Sequence, residues 1–259
     1  MVIELEILDH GVFKFDENEI KLFDLEKKVR QDGKKIIGFI HDNKILDLHT
    51  IVNANLKLKI VFFDDTAESF EIVRHTVAHI LAQAVMRLYP HVKFSVGPVI
   101  ENGFFYDFDF GDITISTNNL EEIENEMHKI IEENHRITKE ITTRDEIISL
   151  LKEKSEKYKL HVVENNIKVD DEISIYRQGE FWDLCRGPHL PSTGYIKKKS
   201  FKLTKLSGIY WQNDSNNKML QRITGTAWTN KDGLSKYLLR LEEAGKRDHR
   251  KLGTELGLF

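Results

Sequence analysis

Two short segments carry the residue types from which a reactive centre can be built. R-H-T-V-A-H supplies His75 and His79, and D-L-C-R-G-P-H supplies Asp183, Cys185 and His189. Histidines four apart on a helix rise from the same face with Cβ atoms about 5–6 Å apart, so both can serve one site. The same spacing occurs in zinc metalloproteases, but there a glutamate follows the first histidine as general base. Thr76 stands at that position, which removes the protease reading. In the second segment Arg186-Gly187-Pro188 breaks regular structure and makes a loop at a strand end. If loop and helix meet, three imidazoles and one thiol converge. That set suits a zinc ion held by one thiolate and three imidazoles. It equally suits a metal-free pocket in which a histidine activates water. Asp183 is placed to orient a histidine or hold an amine.

The elements that must position these residues follow from periodicity. Residues 2–8, 12–15, 36–40 and 56–63 read as strands, with Leu22, Leu25 and Val29 on a short helix between them. The polar run Asp64-Asp65-Thr66 separates this unit from the next. From Ala67 to about Tyr89, apolar residues recur at helical spacing until Pro90. Residues 92–110, with Gly97-Pro98 and Asn102-Gly103, predict a hairpin. A second helix is expected from about Asn118, and a third behind the capping box Thr143-Arg144-Asp145-Glu146. Strands are expected at about 159–164, 173–184, 200–212 and 219–228, and a helix from Asp232 with Leu234, Tyr237, Leu238 and Leu241 on one face. The fold class is α+β.

The chain of 259 residues has 40% hydrophobic and 31% charged residues, which is ordinary for a globular protein. The N-terminus lacks the pattern of a signal peptide, no segment approaches a membrane span, and Cys185 has no intramolecular partner. A reducing, cytoplasmic setting is expected. Net charge of −4 excludes coating of nucleic acid by bulk attraction, so an RNA contact must be local. Residues 195–222, with Lys197, Lys198, Lys199, Lys202, Lys205, Lys218 and Arg222 opposed within the stretch only by Asp214, supply a candidate. On its own such a stretch reads as a solvated face.

Five segments together resemble the N-terminal half of bacterial threonyl-tRNA synthetases: R-H-T-V-A-H with its helix, G-P-V-I-E-N-G-F-F-Y-D-F-D, D-L-C-R-G-P-H, G-I-Y-W-Q-N-D-S-N-N-K-M-L-Q-R-I-T-G-T-A-W and L-R-L-E-E-A-G-K-R-D-H-R-K-L-G. The resemblance implies a TGS-like β-grasp module over 1–62, an editing domain over 63–228 and a linker helix over 229–259. The last leads toward a class II aminoacylation domain that would follow Phe259, as the apolar end Leu256-Gly257-Leu258-Phe259 suggests.

In that family the editing domain hydrolyses seryl-tRNA(Thr) formed in error. The resemblance implies that His75, His79, Cys185, His189 and Asp183 form the catalytic set, with His75 first in line to assist water and Asp183 near the substrate ammonium. It places Gly97, Tyr106 and Lys159 in substrate binding, Lys159 near the serine hydroxyl. It implies contact of Lys197, Lys198, Lys199, Lys202, Lys205 and Arg222 with the tRNA acceptor arm. The related alanyl editing proteins hold zinc on the same four residue types, whereas the threonyl family is metal-free at this pocket. No metal is therefore expected at His75, His79, Cys185 and His189, with zinc the alternative. ATP, magnesium and a further zinc belong with the aminoacylation domain. Two other readings are a free-standing deacylase acting in trans and a non-catalytic tRNA-binding module.

Overall fold

The computed structural model describes residues 2–29, 33–169 and 171–246. The N-terminal unit contains β1 (Ile3–Ile7), β2 (Gly11–Phe15), β3 (Ile20–Lys21), α1 (Leu22–Lys28), β4 (Ile36–His41), β5 (Lys44–Asp47), β6 (Ile51–Val52) and β7 (Leu56–Phe62). Five strands form one mixed sheet in the order β2-β1-β7-β4-β5, in which β1 and β7 run parallel and the other pairs antiparallel. Alternation sends Ile3, Leu5 and Ile7 inward, where Leu22 and Leu25 of α1 cover them with Phe39 and Leu58. Burying each such side chain contributes about 1.5–3 kcal/mol before entropy is counted. The strands at β3, β5 and β6 escaped the sequence reading because they are two to four residues long. Val29 follows α1 with extended backbone and remains buried.

The second part opens with α2 (Ala67–Leu88), whose N-cap Thr66 accepts from the Ser69 N–H. It continues through β8 (Lys93–Phe94), β9 (Val99–Ile100), β10 (Gly103–Asp109), α3 (Asn119–Glu133), β11 (Ile137–Thr142), α4 (Arg144–Glu153), α5 (Lys157–Asn165), β12 (Ile173–Gln178), β13 (Phe181–Leu184), β14 (Phe201–Tyr210), β15 (Met219–Ala227) and α6 (Lys231–Lys246). One sheet has the order β14-β15-β10-β8 with β9 paired to β10, and another the order β11-β12-β13. The helix α2 is buried along most of its length, packing against α3, β10 and β15. Ile37 and Val61 of the N-terminal sheet join the same apolar cluster as Val73 and Val77, so the first unit is seated directly on α2.

Several expectations hold in detail. The capping box at Thr143 and Glu146 is present, and the hairpin over 92–110 forms between β9 and β10. The expected strand at 159–164 does not exist: these residues belong to α5. The pair Val162-Val163 suggested a strand, but Leu160 and Val163, three apart on one helix face, pack with Ile147 and Leu151 of α4. The segment 173–184 is two strands rather than one, reversed at Gly179, whose φ of +54° suits glycine. In α6 Leu234 is buried, whereas Leu239 and Leu241 are exposed. The part of the expected linker helix after Lys246 lies outside the described residues.

Candidate functional site

The helix α2 is fixed in rotation by Arg74. Its guanidinium donates to the carbonyls of Glu101 (2.6 Å) and Ala227 (3.3 Å) and stacks on Phe70 and Trp228. This ties the turn between β9 and β10 and the end of β15 to the helix immediately before His75. At its other end Gln83 donates to Glu180 (3.0 Å) and accepts from Gln178 (2.9 Å), which fastens the β12-β13 hairpin to α2. The loop after β13 is thereby held over the histidine face.

The two half-motifs meet. Cys185 Sγ lies 3.2 Å from His75 Nε2 and 3.3 Å from His189 Nε2, and the His79 and His189 ring centroids are 4.1 Å apart. The four ligand atoms of His75, His79, Cys185 and His189 lie within 4.8 Å of one another. By donor type and separation the set fits a tetrahedral zinc ion with all four positions filled, which would act as a Lewis acid on water only if one of the four ligands gave up its place. Holding it requires loss of the thiol proton.

Beside this cluster stands a second one. Tyr106 donates to Asp183 Oδ2 at 2.6 Å, Lys159 Nζ donates to Tyr106 Oη at 2.8 Å and also contacts Asp183 Oδ1, and His79 Nε2 is 3.5 Å from Asp183 Oδ2. The carboxylate of Asp183 thus has protein partners at both oxygens. Lys159 is buried on α5 rather than lying on the strand expected there. Gly97 is explained by the same cluster: a Cβ there would stand 2.2 Å from the Tyr106 ring, so only glycine lets the ring lie where its hydroxyl reaches Asp183.

Burial sets the charge state. Desolvation lowers the pKa of His75 to about 4 and of His79 to about 3, and carries His189 well below its ordinary value. It also raises the Cys185 thiol to about 12, with the Asp183 charge adding to the effect. Burial opposes ionisation of Asp183 too, but the Lys159 charge and the bonds from Lys159 and Tyr106 outweigh it and lower its pKa. At neutral pH the site therefore holds neutral imidazoles and a thiol beside an ionised aspartate.

Sequence reasoning missed three residues that shape the site. The Thr76 hydroxyl donates to Ile72 O and accepts from Leu190 N, so at 3.5 Å from His189 Nδ1 it can only accept. That relation places the ring proton of His189 on Nδ1 and leaves Nε2 facing the thiol. Tyr176 packs on His189, and Asp47 of β5 reaches the same loop from the N-terminal sheet. Thr76 was legible from its position inside the motif, but Asp47 and Tyr176 belong to no motif.

The basic stretch is less free than its sequence suggested, because acidic partners arrive from elsewhere. Lys198 pairs with Glu132, Lys202 with Glu124, Lys218 with Asp109 and Arg222 with Asp107. Arg222 is also stacked on Phe105, 3.6 Å from the ring centroid, which gives it a structural role. Lys197, Lys199 and Lys205 are exposed.

A cleft of about 530 Å³ lined by Phe70, Arg74, His75, Pro98, Asn102 and Trp228 opens at His75. A larger one of about 870 Å³ borders the site loop only at Arg186, Gly187 and Pro188.

A cluster of neutral histidines that meets an open cleft at His75, with an ionised carboxylate behind it at Asp183, is an arrangement able to activate water. Residues 173–224 match the family model described as the threonyl and alanyl tRNA synthetase second additional domain. Over all 259 residues the chain is 49% identical to a threonine-tRNA ligase of Clostridium botulinum (strain 657 / Type Ba4) and 44% identical to one of Francisella philomiragia. It spans about 40% of the length of these relatives. The whole chain is therefore similar to part of a threonine-tRNA ligase. Among the described residues no helix is long and apolar enough to cross a membrane.

Proposed function

We propose that this chain is the editing portion of a threonyl-tRNA synthetase and hydrolyses seryl-tRNA(Thr) to tRNA(Thr) and serine. The observation that carries the reading is the convergence of His75, His79, Cys185 and His189, with Asp183 beside His79 and a cleft opening at His75. The N-terminal sheet order and its covering helix agree with a β-grasp TGS module, residues 63–228 form the editing domain, and α6 begins the linker to the synthetic part.

Chemical need supports the assignment. Serine lacks one methyl group of threonine, and a difference of that size gives only about 1–3 kcal/mol of discrimination in a binding pocket. A second site that admits the smaller product and excludes the larger restores accuracy.

In the proposed reaction a water molecule next to His75 adds to the ester carbonyl carbon while the imidazole draws off its proton. The bond to the ribose oxygen then breaks and that oxygen takes a proton. A histidine whose pKa is near 4 is a weak base, so positioning of water by the cluster contributes more than proton affinity. Asp183, held by Tyr106 and Lys159, attracts the substrate ammonium, and Lys159 stands within reach of the serine hydroxyl. The tRNA acceptor arm lies across Lys197, Lys199 and Lys205, with binding that weakens as salt rises.

Single-turnover deacylation of seryl-tRNA(Thr) tests the reading. The wild-type chain is expected to hydrolyse it well above background and His75→Ala to fall toward background; a rate equal to background in folded, tRNA-binding protein would make it a binding module. The reaction is proposed to need no resident metal, as the resemblance to the threonyl family implies. Metal analysis before and after chelation decides: activity that leaves with one bound zinc per chain overturns this part.

A further inference from the structure

Asp47 lies at the end of β5 in the N-terminal sheet and is 2% exposed, yet its carboxylate is spent across the boundary between the two units. Oδ2 accepts from the Tyr176 hydroxyl at 2.7 Å and from the His189 backbone N–H at 2.9 Å. Oδ1 accepts from the His49 N–H and the Thr50 hydroxyl, both at 3.1 Å, which fixes the carboxylate plane. His49, also buried, donates through Nε2 to Leu190 O at 3.2 Å, and its ring meets Tyr176 edge-on.

The loop that carries His189 is thus suspended on both sides. From α2, Thr76 accepts the Leu190 N–H; from the N-terminal sheet, Asp47 takes the preceding N–H and His49 caps the following carbonyl. The loop is pressed against these partners. Gly187 has φ +78°, and a Cβ there would stand 2.4 Å from Tyr176 Oη and 2.9 Å from Asp47 Oδ2. Two residues along the chain on either side of this contact are Cys185 and His189, whose Sγ and Nε2 meet at 3.3 Å. A buried carboxylate that accepts bonds from neutral donors is a strong geometric constraint, since each bond to a charged group exceeds a neutral one.

We propose that Asp47 is a positioning residue for the hydrolytic site: the N-terminal unit supplies the carboxylate that sets the loop from Gly187 to Leu190 and so holds His189 against Cys185. The proposal rests on the hydrolytic reading for its consequence, though its geometric content can be measured without it. Asp47 touches no substrate. It acts through the loop backbone and Tyr176.

The test uses the full chain with Asp47→Ala and Asp47→Asn. Asparagine keeps one carbonyl oxygen that can accept from His189 or Tyr176; alanine keeps none. In single-turnover hydrolysis of seryl-tRNA(Thr), Asp47→Ala is expected to lose roughly 10- to 100-fold in rate at saturating protein, the scale of one or two lost bonds to a charged acceptor. The half-saturating concentration stays near the wild-type value, and Asp47→Asn recovers most of the rate.

Alkylation of Cys185 by iodoacetamide supplies the independent readout, because it is the only cysteine in the chain. Release of the loop exposes the thiol, so Asp47→Ala should react roughly 10-fold faster than wild type or more, the scale of one lost bond, and Asp47→Asn should approach wild type. Ile7→Val, which trims the core of the same sheet far from the loop, lowers thermal stability without changing either readout. Asp47→Ala with wild-type hydrolysis and wild-type alkylation overturns the proposal. So does an equal change in Ile7→Val at matched stability, which would make the effect one of stability alone. If wild type proves inactive on seryl-tRNA while the alkylation contrast stands, the hydrolytic reading fails and the positioning survives.

Discussion

Tyr106 donates its phenolic proton to Asp183 Oδ2 across 2.6 Å while receiving a bond from Lys159 Nζ at 2.8 Å, all three groups being buried. The phenol is held protonated: burial, then the Asp183 charge and its bond, push the Tyr106 pKa well above its usual value. Tyr106→Phe keeps the ring and removes both bonds, leaving Asp183 Oδ2 and Lys159 each short of a partner. Loss of a bond to a buried charge costs about 1.5–3 kcal/mol, so seryl-tRNA hydrolysis should drop roughly 10- to 100-fold. Rates measured alongside circular dichroism check this; an unchanged rate would detach Tyr106 from the reaction.

Gly97→Ala should produce a similar loss by another route. The added Cβ falls 2.2 Å from the Tyr106 ring, which must move and take its hydroxyl from Asp183. Overpacking of this kind costs about 1–3 kcal/mol of stability. Gly245→Ala, at a position with no heavy atom within 4 Å on α6, is the matched control and should be neutral or stabilising by up to about 1 kcal/mol. Thermal melts and deacylation rates of the pair report the contrast.

The buried histidines make a signed pH prediction. In the unfolded chain they titrate near 6.5, whereas in the fold His75 stays neutral to about 4 and His79 to about 3. Between these values the unfolded state binds more protons, so their contribution is fully present above pH 6.5. It is lost as pH falls toward 4, at up to about 1.4 kcal/mol per pH unit for each histidine. Hydrolysis should stay level from about pH 8 to about pH 5 and then decline, since no active-site imidazole titrates in that range. A rate profile with its midpoint near 6.5 would mean that the histidines are solvated and titrate freely.

Much of the site was legible because its signal is local. Helical spacing in α2 put His75 and His79 on one face, and the Gly187-Pro188 step marked the loop that bears His189. What escaped depends on tertiary partners. Lys159 was read in a strand because Val162 and Val163 are β-branched, but closure over α4 made the segment helical and buried the lysine against Asp183. The basic stretch looked unopposed because Glu124, Glu132, Asp107 and Asp109 lie far away in the chain, on other elements. Asp47 resembles any strand-end carboxylate until the loop is folded onto it. The fold class followed from periodicity, whereas the two-to-four-residue strands carried too few residues for a pattern.

The most direct test compares hydrolysis of seryl-tRNA(Thr) and threonyl-tRNA(Thr) by the same preparation under single-turnover conditions. A pocket that admits serine and rejects the added methyl group should favour the seryl ester by at least roughly 10-fold, the lower end of what one methyl group can supply. Equal rates on the two esters would contradict the account.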